Sequence, residues 1–514
     1  MSRAVSLLEE CNRSHTTCLS LHPARRPKRL LRIDIDGRNG QLWIRLDVTS
    51  QPQPTSTAIR YSALSYCWGR DQEHKLKVSS QTTYKMGIAV PKLPRTLRDA
   101  ILLSSRLDLK FIWIDCLCIL QDDEKDLARE IADLPAIFGN AYVTISASRA
   151  SDSREGFLHP ISRPPADGIC FRLPYACPDG RLGYVILHRY SDNPIHSRAW
   201  TFQEYMLSPR ILEYTSSQLK WMCREREWHQ EEKEKQLVDM YQLSLSLHSG
   251  FREGELCSVK KCEIWMTMVW AYSGRALKFA ADKLLALSAL AERWSRQTGG
   301  DSYLAGLWDS HLPLGLLWLN EQPFQQQDHA YRAPSWSWAS RNGSIAWHKH
   351  MLTLVDPDFK VCFSKVELAH VEAPYGTVSS GSLTVKGHLG RGTLSSNVPK
   401  DSKLEHIEAI DLTNAEIFWD YDVLDSSIAI TEIFCLQVCN FEPKRNGPSG
   451  LMLVKVDGEQ YCRIGLFHFR PLGLIDIEEN EFVDIDDGVK KFQFAQESAS
   501  ELFGRCSLKE IVLV

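Results

Sequence analysis

A chain of 514 residues is too long for one ordinary hydrophobic core, so two or three domains are expected. Its 44% hydrophobic and 24% charged residues are globular proportions and exclude global disorder. The formal net charge of −4 argues against nucleic-acid binding as the main task, because phosphate recognition needs a basic excess.

The first residues, MSRAVSLLEECNRSH, contain no apolar core long enough for a signal peptide. No run of about eighteen apolar residues suggests a membrane span. A short helix is expected near Val5–Asn12. Cys11-x3-His15-x2-Cys18 offers three groups of metal-ligand type. No fourth ligand and no second pair at zinc-site spacing is visible, so a structural role without metal is expected there. The basic stretch Arg25–Arg32 reads as a solvated loop entering a strand. Strands are expected at Leu30–Asp36 and Gln41–Val48, followed by a polar linker, Thr49–Thr57.

An α/β pattern follows. Tyr61–Trp68 reads as a buried strand ending at Gly69. Pro94 precedes a helical stretch, Thr96–Leu107, with apolar or small residues at Leu97, Ala100, Ile101 and Ser104. Lys110–Ile119 is almost continuously apolar, as expected for a central strand covered on both faces. Asp122–Phe138 returns to helical period through Leu127, Ile131, Leu134 and Phe138, with Pro135 expected to kink or end the helix. Tyr142–Ala147 is a further strand. Strand–helix–strand–helix–strand order implies a parallel, doubly wound sheet.

Beyond it, Arg210–Tyr214 and Gln218–Cys223 form an expected hairpin across Ser216–Ser217, and Glu225–Lys235 reads as exposed. Trp265–Trp294 reads as largely helical. Pro334–Ser340 reads as a strand burying Trp336 and Trp338 on one face. From about Val355 the chain reads mostly as β, with strands at Ser382–Lys386 and Cys462–Phe469. Gly376–Gly381 and the acidic Ile475–Asp487 read as surface loops. The expected division is a lead-in at 1–60, an α/β domain at 61–215, a mainly helical extension at 216–350, and a β-rich region at 351–514.

Asp115 is the first candidate for chemistry, because a carboxylate in so apolar a strand needs a partner or an exit at the strand end. In open α/β sheets ligands bind outside the carboxyl ends of strands, and Asp115, Cys118, Gln121 and Asp122 approach that edge in order. A loop- or helix-capping role for Asp115 remains the alternative. Glu130 lies about 70° from the centre of its helix's apolar stripe, so it can face a cleft or simply be solvated. Cys67 and Cys118 are candidate nucleophiles, but neither has a local histidine, and core packing is the plainer role. Tyr66, Trp68 and Trp113 flank these positions and are expected to line the pocket or the core. Arg198, Trp200, Gln203 and Glu204 can bridge to the Asp115 edge or serve as interface contacts. The fifteen cysteines are odd in number, and many sit in apolar runs, which fits reduced thiols and an intracellular, reducing compartment. No glycine-rich phosphate loop, G-x-S-x-G elbow or HExxH occurs, so common dehydrogenase, kinase, lipase and metalloprotease readings lack their motifs.

Several ordered motifs resemble the heterokaryon incompatibility (HET) domain of filamentous fungi. They are YSALSYCWG (Tyr61–Gly69), LPRTLRDAI (Leu93–Ile101), FIWIDCLCILQDD (Phe111–Asp123), the D-x3-E of Asp126–Glu130, NAYVTISA (Asn140–Ala147) and SRAWTFQE (Ser197–Glu204). The CNRSHTTC start, YSGRALKFAADKLLALSAL, YLAGLWDS, RAPSWSWAS and CRIGLF extend the resemblance over most of the chain. Leu134 and Ile137-Phe138 depart from the family's Met and Ile-Tyr, and Pro135 is unusual there. The resemblance implies a cytoplasmic signalling protein of non-self recognition and programmed cell death, acting through protein partners or self-association. HET domains are also distantly similar to TIR domains, which implies a flavodoxin-like sheet. By position it implies Glu130 as the carboxylate of an NAD glycohydrolase, with NAD as substrate rather than resident cofactor. A third reading is a small-molecule enzyme of specialised metabolism, using Asp115 or Glu130 as general acid or base on a small-molecule or nucleotide ligand.

Overall fold

The computed structural model describes residues 1–19, 26–38, 40–48, 59–69, 74–160, 170–176, 182–188, 193–230, 239–248, 258–322, 330–347, 355–393, 409–412, 415–420, 432–439, 448–469, 503 and 506–514. The linker expected at Thr49–Thr57 and the acidic stretch Ile475–Asp487 fall outside the described residues. The chain divides into two compact units, Met1–Ser249 and Gly250–Val514.

The first unit opens with helices α1 (Ser2–Ser14) and α2 (Thr16–Leu19) and strands β1 (Arg29–Ile35) and β2 (Leu42–Val48). The alternating core follows: β3 (Ser62–Ser65), α3 (Gln81–Met86), β4 (Ile88–Ala89), α4 (Arg95–Arg106), β5 (Phe111–Trp113), α5 (Asp115–Cys118), α6 (Glu124–Gly139) and β6 (Val143–Ser146). Then come the ribbon β7 (Cys170–Ala176) and β8 (Leu182–His188), α7 (Trp200–Leu207), β9 (Arg210–Tyr214), β10 (Leu219–Cys223), β11 (Glu227–His229) and α8 (Met240–His248).

One nine-stranded sheet carries this unit in the order β11-β10-β9-β6-β3-β5-β1-β2-β4. The expected parallel core of β3, β5 and β6 is present, but the sheet as a whole is mixed. Only β5, β3, β6 and β9 run parallel, with Ser62 opposite both Ile112 and Val143. The β1–β2 hairpin adds antiparallel on one side through Leu31↔Ile112, and β10 and β11 add antiparallel on the other. Two-residue turns suffice for such hairpins, whereas parallel neighbours need the α4 and α6 crossovers. α4 buries Leu97, Ala100, Ile101 and Ser104 as its period requires, and the Ser104 hydroxyl meets that of Ser62 at 2.6 Å.

Three local expectations change. The apolar run Lys110–Ile119 is a strand only to Trp113 and then a helical turn. The Asp115 carboxylate accepts the next backbone N–H, Cys116, at 2.6 Å, which starts the turn. The run is apolar throughout because Cys116, Leu117 and Cys118 are buried as well. α6 passes through Pro135 to Gly139, and Asp123 caps its start by accepting from the N–H groups of Lys125 and Asp126. Its fully buried positions are Asp126, Glu130, Ile137 and Phe138, so Glu130 lies within the inward stripe rather than at its flank.

The second unit begins with α9 (Ser258–Ser273) and α10 (Ser288–Thr298), then two small ribbons, β12 (Tyr303–Leu304) with β13 (Leu307–Trp308) and β14 (Trp318–Asn320) with β15 (Ile345–Trp347). An eight-stranded sheet follows, from β16 (Lys360–Leu368), β17 (Val378–Thr393), β18 (Ala409–Asp411), β19 (Ala415–Trp419), β20 (Ile433–Cys439), β21 (Ser449–Asp457), β22 (Gln460–Phe469) and β23 (Ser507–Leu513). The expected β-rich C-terminal region is present. Gly381, expected in a loop, is inside β17 and pairs with Val366. PSWSWAS is not a strand but a buried turn with a short 3-10 segment, Trp338–Ser340. Its tryptophans are held by single hydrogen bonds: Trp338 Nε1 donates to the Gly306 carbonyl at 2.9 Å, and the Trp336 carbonyl accepts from Trp318 Nε1 at 2.9 Å.

Candidate functional site

The carboxyl ends of β3 and β5 place Tyr66, Cys67 and Trp68 beside Asp115. Trp68 Nε1 donates to Asp115 Oδ2 at 2.6 Å, and the Tyr66 hydroxyl donates to the same carboxylate. The segment before α7 sends Arg198 to this edge, where its guanidinium donates to the Tyr66 carbonyl and to the Cys67 sulfur. From α7 itself, Glu204 accepts from the Ser65 hydroxyl. Six predicted residues therefore meet around two carboxylates and one guanidinium.

Their electrostatics follow from burial. Burial raises Glu204 to about 7, against the opposing pull of Ser65 and Arg198. It raises Asp115 as well, although Arg198, Trp68 and the Cys116 N–H all favour its charged form. Burial also pushes the Cys67 thiol up, with Arg198 acting against it. A group with a pKa near 7 can give and take a proton at neutral pH.

Glu130 belongs to a second network. Arg29 reaches from β1, donates to Asp126 and to the Cys118 carbonyl at 3.0 Å, and touches Glu130 at 3.3 Å. Arg29 and Glu130 are each only 2% exposed, which corrects the reading of the basic stretch as solvated throughout. Burial raises Asp126, but Arg29 and Lys28 outweigh it and its net shift is downward. Glu130 goes the other way: burial lifts it to about 7, and Arg29 only partly opposes this. One guanidinium shared by two carboxylates cannot fully ionise both in so dry a place. The cavity beside Glu130, lined by Lys28, Asp133 and Ile137 among others, holds about 10 Å³, room for one water.

Residues 61–204 match the family model described as Heterokaryon incompatibility protein (HET). That segment is a HET domain. No curated protein and no solved structure matches it. The match runs from Tyr61, just before β3, to Glu204 in α7, so the whole Asp115 cluster lies within the HET segment. Arg29, which engages Asp126 and Glu130, lies outside it.

The remaining predicted residues disperse. Gln121 donates to the Asp115 and Ile119 carbonyls at 3.4 and 3.2 Å, so it borders the cluster through the backbone. Asp122 is exposed and accepts from the Val78 N–H at 3.0 Å. Cys118 is fully buried, and burial raises its thiol. Trp113 is a core residue packed edge-on against Phe138, with ring centres 5.7 Å apart. Trp200 is half-buried at the start of α7, and Gln203 is buried with its Oε1 unbonded.

Two groups escaped the sequence reading. Glu213 in β9 accepts from Ser148 and meets His196, each at 2.8 Å. Burial opposes its charge, yet these partners, with His196 the larger, hold it down at about 2. A charged residue inside the apolar strand Arg210–Tyr214 was the available signal. Cys223, at the end of β10, joins Cys11, His15 and Cys18, so that all four ligand atoms lie within 4.8 Å of one another. The last helix turn of α1, its cap and α2 were expected to show three such groups and no fourth.

Proposed function

We propose that this HET-domain protein is an incompatibility-type signalling module that acts through protein partners or self-association. The fate of Glu130 carries the reading. The residue placed by analogy with a TIR catalytic glutamate is sealed against Arg29 and Asp126, beside space for one water. A nicotinamide riboside needs a pocket of several hundred Å³. In this state Glu130, Asp126 and Arg29 brace α6 against β1, and Asp115 with Trp68, Tyr66 and Arg198 braces the strand ends. The reading takes the HET domain as 61–215, the lineage as fungal and the compartment as cytoplasmic, in line with the family. Among the described residues no helix is long and apolar enough to cross a membrane.

The test is purified full-length protein incubated with NAD across protein concentration, beside a cell-death readout in a fungal host. The expected result is no nicotinamide at any oligomeric state, with cell death intact in Glu130→Gln. Nicotinamide release that Glu130→Gln abolishes overturns it in favour of a TIR-like NAD glycohydrolase on a flavodoxin-like parallel core.

A second reading is favoured by Glu204. It is half-buried, lies beside Arg198 and titrates near 7, which suits a general acid or base acting on a small molecule. A metabolite that co-purifies with the native chain and is lost in Glu204→Gln selects this reading.

A further inference from the structure

We propose that Cys11, His15, Cys18 and Cys223 bind one zinc ion that fastens the N-terminal helices to the sheet. Cys11 lies in the last turn of α1, and His15 is that helix's C-cap, its N–H donating to the Cys11 carbonyl. Cys18 lies in α2 and Cys223 ends β10, 208 residues after His15. Nδ1 of His15 sits 3.2 Å from the Cys223 sulfur. A tetrahedral zinc site with Zn–S about 2.3 Å and Zn–N about 2.0–2.1 Å has ligand–ligand edges of about 3.5–3.8 Å. The contacts here, 3.2 Å at His15–Cys223 and at most 4.8 Å elsewhere, bracket those edges. Small side-chain rotations complete the tetrahedron.

The surroundings are those of thiolates. Arg210, buried in β9, donates through Nε to the Cys11 sulfur at 3.3 Å and through Nη2 to the Cys18 carbonyl at 2.8 Å. The backbone N–H groups of Glu225 and Arg226 turn back onto the Cys223 sulfur, and that of Arg224 onto Cys18. Donors aimed at sulfur stabilise the ionised ligand and fix its direction. Three thiolates exceed the charge of a divalent cation by one, and Arg210 supplies the balancing charge. Without a cation, three adjacent sulfurs cannot all ionise. Soft sulfur with one imidazole in a tetrahedral set selects zinc over the hard cations magnesium and calcium.

Four protein ligands leave no open position, so the site is structural rather than hydrolytic. Its mechanical effect follows from where the ligands start. α1 buries Leu7, Leu8 and Cys11 in the core of the sheet, and α2 buries Cys18 in the same core. The metal joins both helices to the β10–β11 turn. The same turn is clasped by the Glu10–Arg226 ion pair and by the Thr17 N–H donating to Glu225. Zinc would thus tie residues before the HET segment to a hairpin after it.

The experiment uses the full chain, purified without chelator and without a metal-affinity column. Elemental analysis is expected to find one zinc per chain. X-ray absorption is expected to show three sulfurs and one nitrogen at the distances above. Cobalt exchanged into the wild-type protein is expected to give the visible bands of a tetrahedral thiolate site. Cys223→Ser is expected to lose most of the zinc, while Cys362→Ser, at an exposed cysteine in the second unit, keeps it. If Cys223→Ser fails to fold, the wild-type absorption and cobalt spectra decide alone. Less than a tenth of an equivalent of zinc overturns the proposal. So does a disulfide among Cys11, Cys18 and Cys223 in a non-reduced digest, or an all-oxygen and nitrogen shell around the metal.

Discussion

Glu130→Gln should make the first unit more stable at pH 8 and much less so at pH 5. Glu130 has an ordinary pKa of 4.5 and is lifted to about 7 in the fold. The folded state therefore binds the proton more tightly than the unfolded chain. The resulting stability is fully present below pH 4.5 and is lost as pH rises through about 7. The gap from 4.5 to about 7, at about 1.4 kcal/mol per pH unit, amounts to about 3 kcal/mol at most. Glutamine is neutral at every pH, and its carbonyl can still accept from Arg29. For a unit of this size about 1 kcal/mol moves the melting midpoint by roughly 2–4 °C. A rise of roughly 6–12 °C at pH 8 is thus the upper limit, falling to about a quarter of that at pH 5, just above the ordinary pKa. Thermal scans of the full chain at both pH values measure it. Hydrogen-exchange mass spectrometry of the Glu124–Gly139 peptides assigns the transition. An equal shift at both pH values, or a loss of stability at pH 8, would refute the claim that Glu130 is the carboxylate left short of charge.

Arg29→Met removes the cation from between two buried carboxylates and should cost about 3–5 kcal/mol, read in the same scans. Adding Asp126→Asn and Glu130→Gln should recover much of that loss, and no recovery would locate the damage elsewhere. Gly69 has φ +76°, and a Cβ there would lie 2.1 Å from an Asp152 carboxylate oxygen. Gly69→Ala should therefore destabilise by more than the roughly 1–2 kcal/mol of a left-handed alanine, and a neutral melting curve would contradict the geometry. In the second unit, Asp420→Ala strands the fully buried Arg463, which pairs with Asp420 at 2.9 Å and stacks 3.4 Å over Trp318. A cost of about 3–5 kcal/mol to that unit's unfolding is expected, and a loss under 1 kcal/mol would mean water reaches the guanidinium.

Local pattern made much of the HET core legible. Leu97, Ala100, Ile101 and Ser104 announced α4, and the runs Tyr61–Trp68 and Tyr142–Ala147 announced β3 and β6. What pattern does not carry is the difference between a buried strand and a buried turn. Ile114–Leu120 is as apolar as Phe111–Trp113, yet the Asp115 carboxylate, bonded to the next N–H, bends the backbone into α5. PSWSWAS behaves likewise: it is a buried turn tied by the Trp338 indole to the Gly306 carbonyl and by the Trp336 carbonyl to the Trp318 indole, rather than a strand with alternating faces. Parallel order was inferred from the crossovers alone. The antiparallel flanks come from hairpins whose partners, β5 for β1 and β6 for β9, lie far off in sequence.

The candidate site divides on the same line. Tyr66, Cys67, Trp68 and Asp115 could be grouped in advance because strand ends of a parallel core share one edge, and Arg198 and Glu204 joined them through a short, chemically mixed segment. Glu130 could not be assigned from its own helix. Its spacing from Leu127 and Leu134 puts it at the flank of the stripe, and both its inward direction and its charge depend on Arg29, about a hundred residues earlier, in a stretch that reads as loop. Cys223 is the stronger case, since no spacing rule connects it to Cys11, His15 and Cys18 across two hundred residues. Both clusters join segments outside the family match to the HET core or to the hairpin that follows it. If such ties are what the fold holds in readiness, loosening either one should expose the α6-covered face of β1 or the α1 face. An Arg29→Met protein that self-associates, while a Gly69→Ala protein of equal instability does not, would separate that device from simple unfolding.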